Sequence, residues 1–182
     1  MPHPSSDQKD AASGLAGITA GRTSICSLEQ TLRYRGYAVS DLVQCSFEEI
    51  AHLLLWGDLP TAHQLEAFTE RIQRAAQSIP QTVVCCFQRL AENSPQTSIM
   101  DVLRTGVSLL GQLDCDNGPK ESTPSHDLVQ ERMKAEQLLG HIPALLATWI
   151  DCLRGEPPSH WPNKPLAPAL LEKLCHTKAS DI

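Results

Sequence analysis

IMDVLRTGVSLLG, residues Ile99–Gly111, decides the fold class of this chain. Met100, Leu103, Val107 and Leu110 recur at helical spacing, and Val102, Leu109 and Ile99 widen them into one apolar stripe. Ser98 followed by Asp101 predicts an N-cap with a carboxylate in the first turn, where it meets the unpaired amides and the helix dipole. Gly106 stands in mid-helix, where glycine costs about 1 kcal/mol relative to alanine. That cost is offset if a second helix passes too close to leave room for a side chain. The remaining segments are expected to deliver or bury this helix.

Working upstream, a helix is expected from about Pro80 to Asn93, with proline at its start and Val83, Val84, Phe87 and Leu90 as its stripe. Before it, Thr61 and Gln64 open a helix that turns Leu65, Phe68 and Ile72 inward and Glu66, Glu70, Arg71 and Arg74 outward, with His63 exposed in its first turn. Ser46-Phe47-Glu48-Glu49 is another capping box, and its helix ends at Gly57. Strand character is confined to residues 14–40: Thr23–Leu28 and Leu32–Tyr34 flank Glu29-Gln30 as a hairpin. Gly14, Gly17 and Gly21 fit tight turns, because neither a P-loop nor a dinucleotide fingerprint is present.

Downstream, DCDNGPKESTPS (residues 114–125) is a polar loop whose acids do not follow the ligand order of a calcium loop. The longest helical pattern follows, about Ser125–Arg154. Its stripe is Leu128, Ala135, Leu138, Leu139, Ile142, Leu145, Leu146, Trp149, Ile150 and Leu153. Pro143 inside it predicts a kink near Leu139–Gly140, and His141 is read as a core or kink histidine. Gly155 and Pro157-Pro158 end the helix, and a short last helix is expected over Ala167–Cys175.

Composition narrows the function classes. The chain has 182 residues, 41% of them apolar and only 4% aromatic, so Leu, Ala, Ile and Val must build the core. A net charge of −6 argues against a nucleic-acid groove, which needs a clustered basic surface. No run approaches the ~20 apolar residues that span a bilayer, and the polar start MPHPSSDQKDAAS lacks a signal-peptide core. A cytoplasmic address is therefore expected. The seven cysteines (26, 45, 85, 86, 115, 152 and 175) are odd in number and lack a C-x-x-C, so they are read as small buried hydrophobes in a reducing compartment. Cys175-His176 cannot fill a tetrahedral metal site alone.

Four stretches in fixed order resemble the N-terminal half of the citrate synthase family, especially its bacterial citrate and 2-methylcitrate synthases. They are GLAGITAGRTSIC (Gly14–Cys26), YRGYAVSDL (Tyr34–Leu42), FEEIAHLLLWGDLPT (Phe47–Thr61) and MDVLRTGVSLLG (Met100–Gly111). A weaker fifth runs from about Ala135 through RGEPP (Arg154–Pro158). Departures exist: Ser98 and Ile99 stand where the family has His-Pro, Ala38 follows the RGY, and the first hairpin is short. The resemblance implies a mainly α fold, the helical part of the family's large domain with a short N-terminal β-hairpin. The expected organisation is a disordered lead (1–13), a partial large domain (14–176) without the small catalytic domain, and a polar tail (177–182).

The same resemblance implies Claisen-type condensation of acetyl-CoA or propionyl-CoA with oxaloacetate for whole members, which are considerably longer. Their base, enolate donor and dicarboxylate-binding arginines lie in a G-P-L-H-G-type segment, a G-x-x-H segment and beyond, and nothing here matches those segments. No catalytic, cofactor-binding or metal residue is therefore assigned, and Arg104 and Thr105, though they look like site residues, are not carried over. The chain is read as an N-terminal fragment that is inactive alone and binds no cofactor, acyl-CoA being a substrate of the family. The alternative is a non-catalytic helical dimerisation or interaction module. Expected partners are a second copy, through helices at about 80–93 and 98–112, or a separately encoded C-terminal half; neither nucleic acid nor membrane is expected.

Overall fold

In the computed structural model, which describes residues 23–28, 30–113 and 124–175, the hairpin forms with a third strand that the periodicity did not reveal. β1 (Cys26–Leu28), β2 (Leu32–Tyr34) and β3 (Tyr37–Ala38) make an antiparallel sheet in chain order. Leu28 pairs with Leu32, so the first link spans residues 29–31 rather than two residues. Tyr34 pairs with Tyr37 across Arg35 (φ 49°) and Gly36 (φ 92°), the two left-handed residues that a tight hairpin turn requires. β3 is only two residues long, too short for an alternation to register. The glycine-punctuated approach to β1, residues 14–22, lies outside the described residues, as do 1–13, Cys115 and 176–182.

Among the described residues seven helices follow: α1 (Val39–Leu42), α2 (Phe47–Trp56), α3 (Ala62–Gln77), α4 (Gln81–Asn93), α5 (Ile99–Leu113), α6 (Pro124–Leu153) and α7 (Leu166–Cys175). The chain is mainly helical, as its patterning and the family resemblance imply. Both capping boxes form. Ser46 accepts from the Glu49 amide while Glu49 accepts from the Ser46 amide, and Thr61 and Gln64 repeat the exchange. Gly57 ends α2 at φ 103°. Among the described residues no helix is long and apolar enough to cross a membrane.

The organising element is α6, not α5. It packs on α2, α3, α4, α5 and α7, and separate apolar clusters lie on two of its sides. On one side Ala144 and Ala147 meet Phe68, Ile72, Trp161 and Ala169. On the other, Leu145, Trp149 and Cys152 meet Val83, Phe87 and Val102. Val83, Phe87 and Leu145 are fully buried, each worth about 1.5–3 kcal/mol of removed apolar surface. Because α6 is buried on two sides, its single stripe was only part of the contact surface. Ile142 lies two residues, or about 160° around the helix, from both Gly140 and Ala144, and it is exposed together with Leu128, Leu138 and Leu153. The helix runs on through Pro143.

Three further expectations are corrected. The buried line of α5 is Val102–Gly106, so Met100, about 160° away from Val102, is 67% exposed and Ile99 is 50% exposed. Arg71 is not a solvated outward charge, for reasons given below. Among the described cysteines only Cys152 is buried; Cys45 and Cys86 are half-buried, and Cys26 on a three-residue edge strand, Cys85 on α4 and Cys175 in the last turn of α7 are exposed. Two remote carboxylates tie the last segment down: Glu48 Oε1 accepts the Leu166 amide at 2.7 Å at the start of α7, and Asp151 accepts from the Ser159 amide and hydroxyl.

Candidate functional site

Where α3 crosses α6, the two helices approach at Gly140. A β-carbon there would stand 2.2 Å from the Ile72 carbonyl oxygen and 2.9 Å from Ala75 Cβ. This close approach brings two polar ladders, spaced at helical intervals, to one groove: Arg71, Arg74 and Ser78 on α3, and Glu136, Gln137 and His141 on α6. Under the groove, Glu136 is 2% exposed. Its carboxylate accepts from Trp56 Nε1 and Arg71 Nε, both at 2.6 Å, and from Arg71 Nη2 at 3.2 Å. Three donors make burial of that charge tolerable. The hydrogen bond that Arg71 donates to Glu136 raises the Arg71 pKa, burial opposes the rise and the carboxylate charge adds to it. Arg132 covers the outer face of the Trp56 ring at 5.3 Å.

Two clefts flank the Gln137–His141 ridge. One, of about 330 Å³, lies toward α3 and is bounded by Arg71, Arg74 and Met133. The other, of about 400 Å³, lies toward α5 and is lined by Lys134 and Leu138 of α6 and by Val107 and Leu110 of α5. Ser78 borders both, and its hydroxyl donates to Ala75 O at 2.9 Å and lies 3.4 Å from His141 Nε2. Burial lowers the His141 pKa, so the imidazole is neutral at pH 7 and acts as a hydrogen-bonding group. His141 is thus a cleft residue rather than a core one.

The α4–α5 pair, expected to carry a two-fold interface, packs as the glycine argument requires. A β-carbon at Gly106 would meet Phe87 Cζ at 2.9 Å and both Leu145 δ-carbons at 3.0 Å. Outside that contact, Ile99, Met100 and Leu113 remain exposed on α5. Arg104 and Thr105 make local bonds only among the contacts described: Arg104 Nη1 pairs with Asp101 Oδ1 at 3.0 Å, and the Thr105 hydroxyl donates to Asp101 O. Neither faces a shared centre. Among the described residues no group of three or more His, Cys, Asp or Glu side chains could hold a metal ion, and His176 and the acidic loop at 114–123 lie outside them.

Sequence reasoning missed Glu136 and the Arg71 contact, since a glutamate beside an apolar stripe resembles any solvated charge. A signal was present: Gly140 lies one turn after Glu136, and a mid-helix glycine marks close packing.

Residues 14–181 match the family model described as citrate synthase, C-terminal domain. The 2-methylcitrate synthase of Mycobacterium tuberculosis is 34% identical over 163 residues, which cover 87% of this chain and 38% of that protein. Citrate synthase 2 of Bacillus subtilis is 31% identical over 150 residues, covering 81% of this chain and 38% of the relative. The chain therefore spans less than half the length of the curated relatives it matches. A citrate synthase from Thermoplasma acidophilum, solved with carboxymethyl coenzyme A and oxaloacetate, superposes with a TM-score of 0.74 at 22% identity over 91% of this chain and 42% of that one.

Proposed function

Because this chain belongs to the citrate synthase family, we propose that it is the part of such an enzyme lying ahead of the catalytic histidine segments, a helical scaffold that is inactive by itself. The observation carrying this is the match over residues 14–181 combined with coverage of only 38% of the relative. The matched description names a C-terminal domain. The order of the stretches from Gly14 to Gly111 supports placement in the first half of the whole enzyme instead.

Condensation of an acyl-CoA with oxaloacetate needs a base at the α-carbon, a hydrogen-bond donor to the enolate oxygen and cations for the dicarboxylate. The chain's contribution is to hold the framework to which those groups attach, through α6 and its two cores. It binds no cofactor of its own. A second copy docks through α4 and α5, where Ile99, Met100 and Leu113 present apolar surface, and a cytoplasmic location accompanies this role.

The test is to incubate the purified 182-residue chain with oxaloacetate and acetyl-CoA or propionyl-CoA and follow thiol release. No turnover is expected from the chain alone, and turnover is expected on co-expression with a polypeptide carrying the missing histidine segments. Citrate or methylcitrate formation by the chain alone refutes the proposal. The exposed face of α5 also favours a second reading, an interaction module without chemistry. Dimerisation together with failure of every such complementation would favour that reading.

A further inference from the structure

Where α3 meets α6, Ser78 and His141 place a hydroxyl beside an imidazole. Ser78 closes α3, and its Oγ lies 3.4 Å from His141 Nε2. The serine is exposed and the imidazole half-buried. At rest the hydroxyl donates to Ala75 O at 2.9 Å, and the same carbonyl accepts the Ser78 amide at 3.0 Å. The hydroxyl proton can therefore swing to His141 without leaving that carbonyl unpaired. Backbone packing fixes the separation, because His141 follows Gly140, which leaves no room for a side chain between α6 and Ile72 O or the Ala76 amide nitrogen. Ser78, His141 and Gln137, one turn before the histidine, border both clefts, and Val107, Leu110 and Leu138 line the larger one. Burial keeps His141 neutral at pH 7, the state in which Nε2 can accept a proton. The charged groups lining the clefts are Arg71, Arg74, Lys134 and Glu136, and the lining residues from α5 carry no charge. Glu136 already accepts from Arg71 and Trp56, so among them no spare carboxylate holds the imidazole in its cationic form.

We propose that Ser78 and His141 form a nucleophile–base pair that cleaves short-chain esters of uncharged alcohols, an activity separate from the condensation proposed for whole family members. The acyl chain lies against Leu110 and Leu138, and the Gln137 amide donates to the carbonyl oxygen as charge develops on it. Ser78 Oγ attacks the carbonyl carbon while its proton passes to His141 Nε2. The ester C–O bond then breaks, and the imidazolium returns the proton to the departing alkoxide. A water molecule repeats the sequence on the Ser78 ester, giving the carboxylic acid and free Ser78. The imidazole must present an unprotonated Nε2 to the serine, so the active tautomer carries its proton on Nδ1.

The experiment treats the full 182-residue chain with diisopropyl fluorophosphate, which forms a P–O bond to an activated serine and expels fluoride, and separately with p-nitrophenyl butyrate, followed by phenolate release. Peptide mass spectrometry is expected to find one adduct per chain, on Ser78. Ser78→Ala should abolish both the adduct and ester cleavage above background. His141→Gln should slow both about a hundredfold, the loss of a general base. In the wild type the labelling rate should rise with pH and reach half its maximum below pH 6.5, the ordinary value for an imidazole. In His141→Ala, added imidazole should restore labelling, a recovery that a merely structural histidine would not permit. Thr105→Ala, on the exposed side of α5, should change nothing. Absence of an adduct on Ser78 overturns the proposal. So does labelling of Ser78 that His141→Gln leaves intact, or that Thr105→Ala slows equally.

Discussion

Replacing Gly140 by alanine tests the packing that organises both the bundle and the groove. The new methyl would lie 2.2 Å from Ile72 O and 2.9 Å from Ala75 Cβ and from the Ala76 amide nitrogen. None of these can rotate away, since two are backbone atoms and the third is attached to the backbone. Restoring an ordinary carbon–oxygen separation requires α3 and α6 to part by about 1 Å. Overpacking of this kind costs about 1–3 kcal/mol or more, here at its upper end, against about 1 kcal/mol gained in helix propensity. The expected net loss is about 2 kcal/mol, or about 4–8 °C in Tm for a chain of this size.

Gly106→Ala is the matched control. Its methyl would meet the ring end of Phe87 and the δ-carbons of Leu145, at 2.9 and 3.0 Å. Those are side-chain ends that can shift by a few tenths of an ångström, so the expected change is within about 1 kcal/mol of wild type. Urea unfolding followed by tryptophan fluorescence, to which buried Trp149 and Trp161 contribute, reports both as midpoint shifts at constant m. A Gly140→Ala chain as stable as Gly106→Ala refutes the reasoning.

Two other outcomes follow from the same groove. Arg71→Ala should destabilise the chain by about 3 kcal/mol by stranding Glu136; this is the lower end for a broken buried pair because the Arg71 side chain is 39% exposed. The double change Arg71→Met with Glu136→Leu should lose less, and a double-mutant cycle in urea measures the difference. For His141, burial lowers the folded pKa below the unfolded value near 6.5, so the unfolded chain binds the proton more readily. Its contribution to stability is present above pH 6.5 and is lost as pH falls toward the folded value. Unfolding midpoints compared between about pH 8 and pH 5.5 should fall less in His141→Gln than in wild type. Equal slopes would show that His141 is not the group involved.

Much of the architecture was legible because it is written in local chemistry. Capping boxes at Ser46 and Thr61, the left-handed stop at Gly57 and the periodic stripes of α3 and α4 act within a few residues, and all appear where the sequence places them. The stripes of α5 and α6 were read less well. A stripe records how apolar one face is, and α6 is enclosed on two sides, which no single periodicity describes. β3 was lost because two residues carry no pattern. The groove was illegible for another reason: Arg71 and Glu136 are separated by 65 positions, and each alone is indistinguishable from a surface charge.

The sequence by itself determined the helical class, the capped starts of α2 and α3, the family, and the need for a close partner at Gly106. Each of these rests on side chains acting on their own backbone or on ordered motifs. The tertiary structure decided that α6 is the axis, that Gly140 rather than Gly106 meets backbone, and that a buried carboxylate sits beneath a cationic cleft. Those features depend on which helix faces are brought within a few ångströms of each other, and that is set by the simultaneous packing of α2, α3, α4, α5 and α7 on α6 rather than by any one stretch.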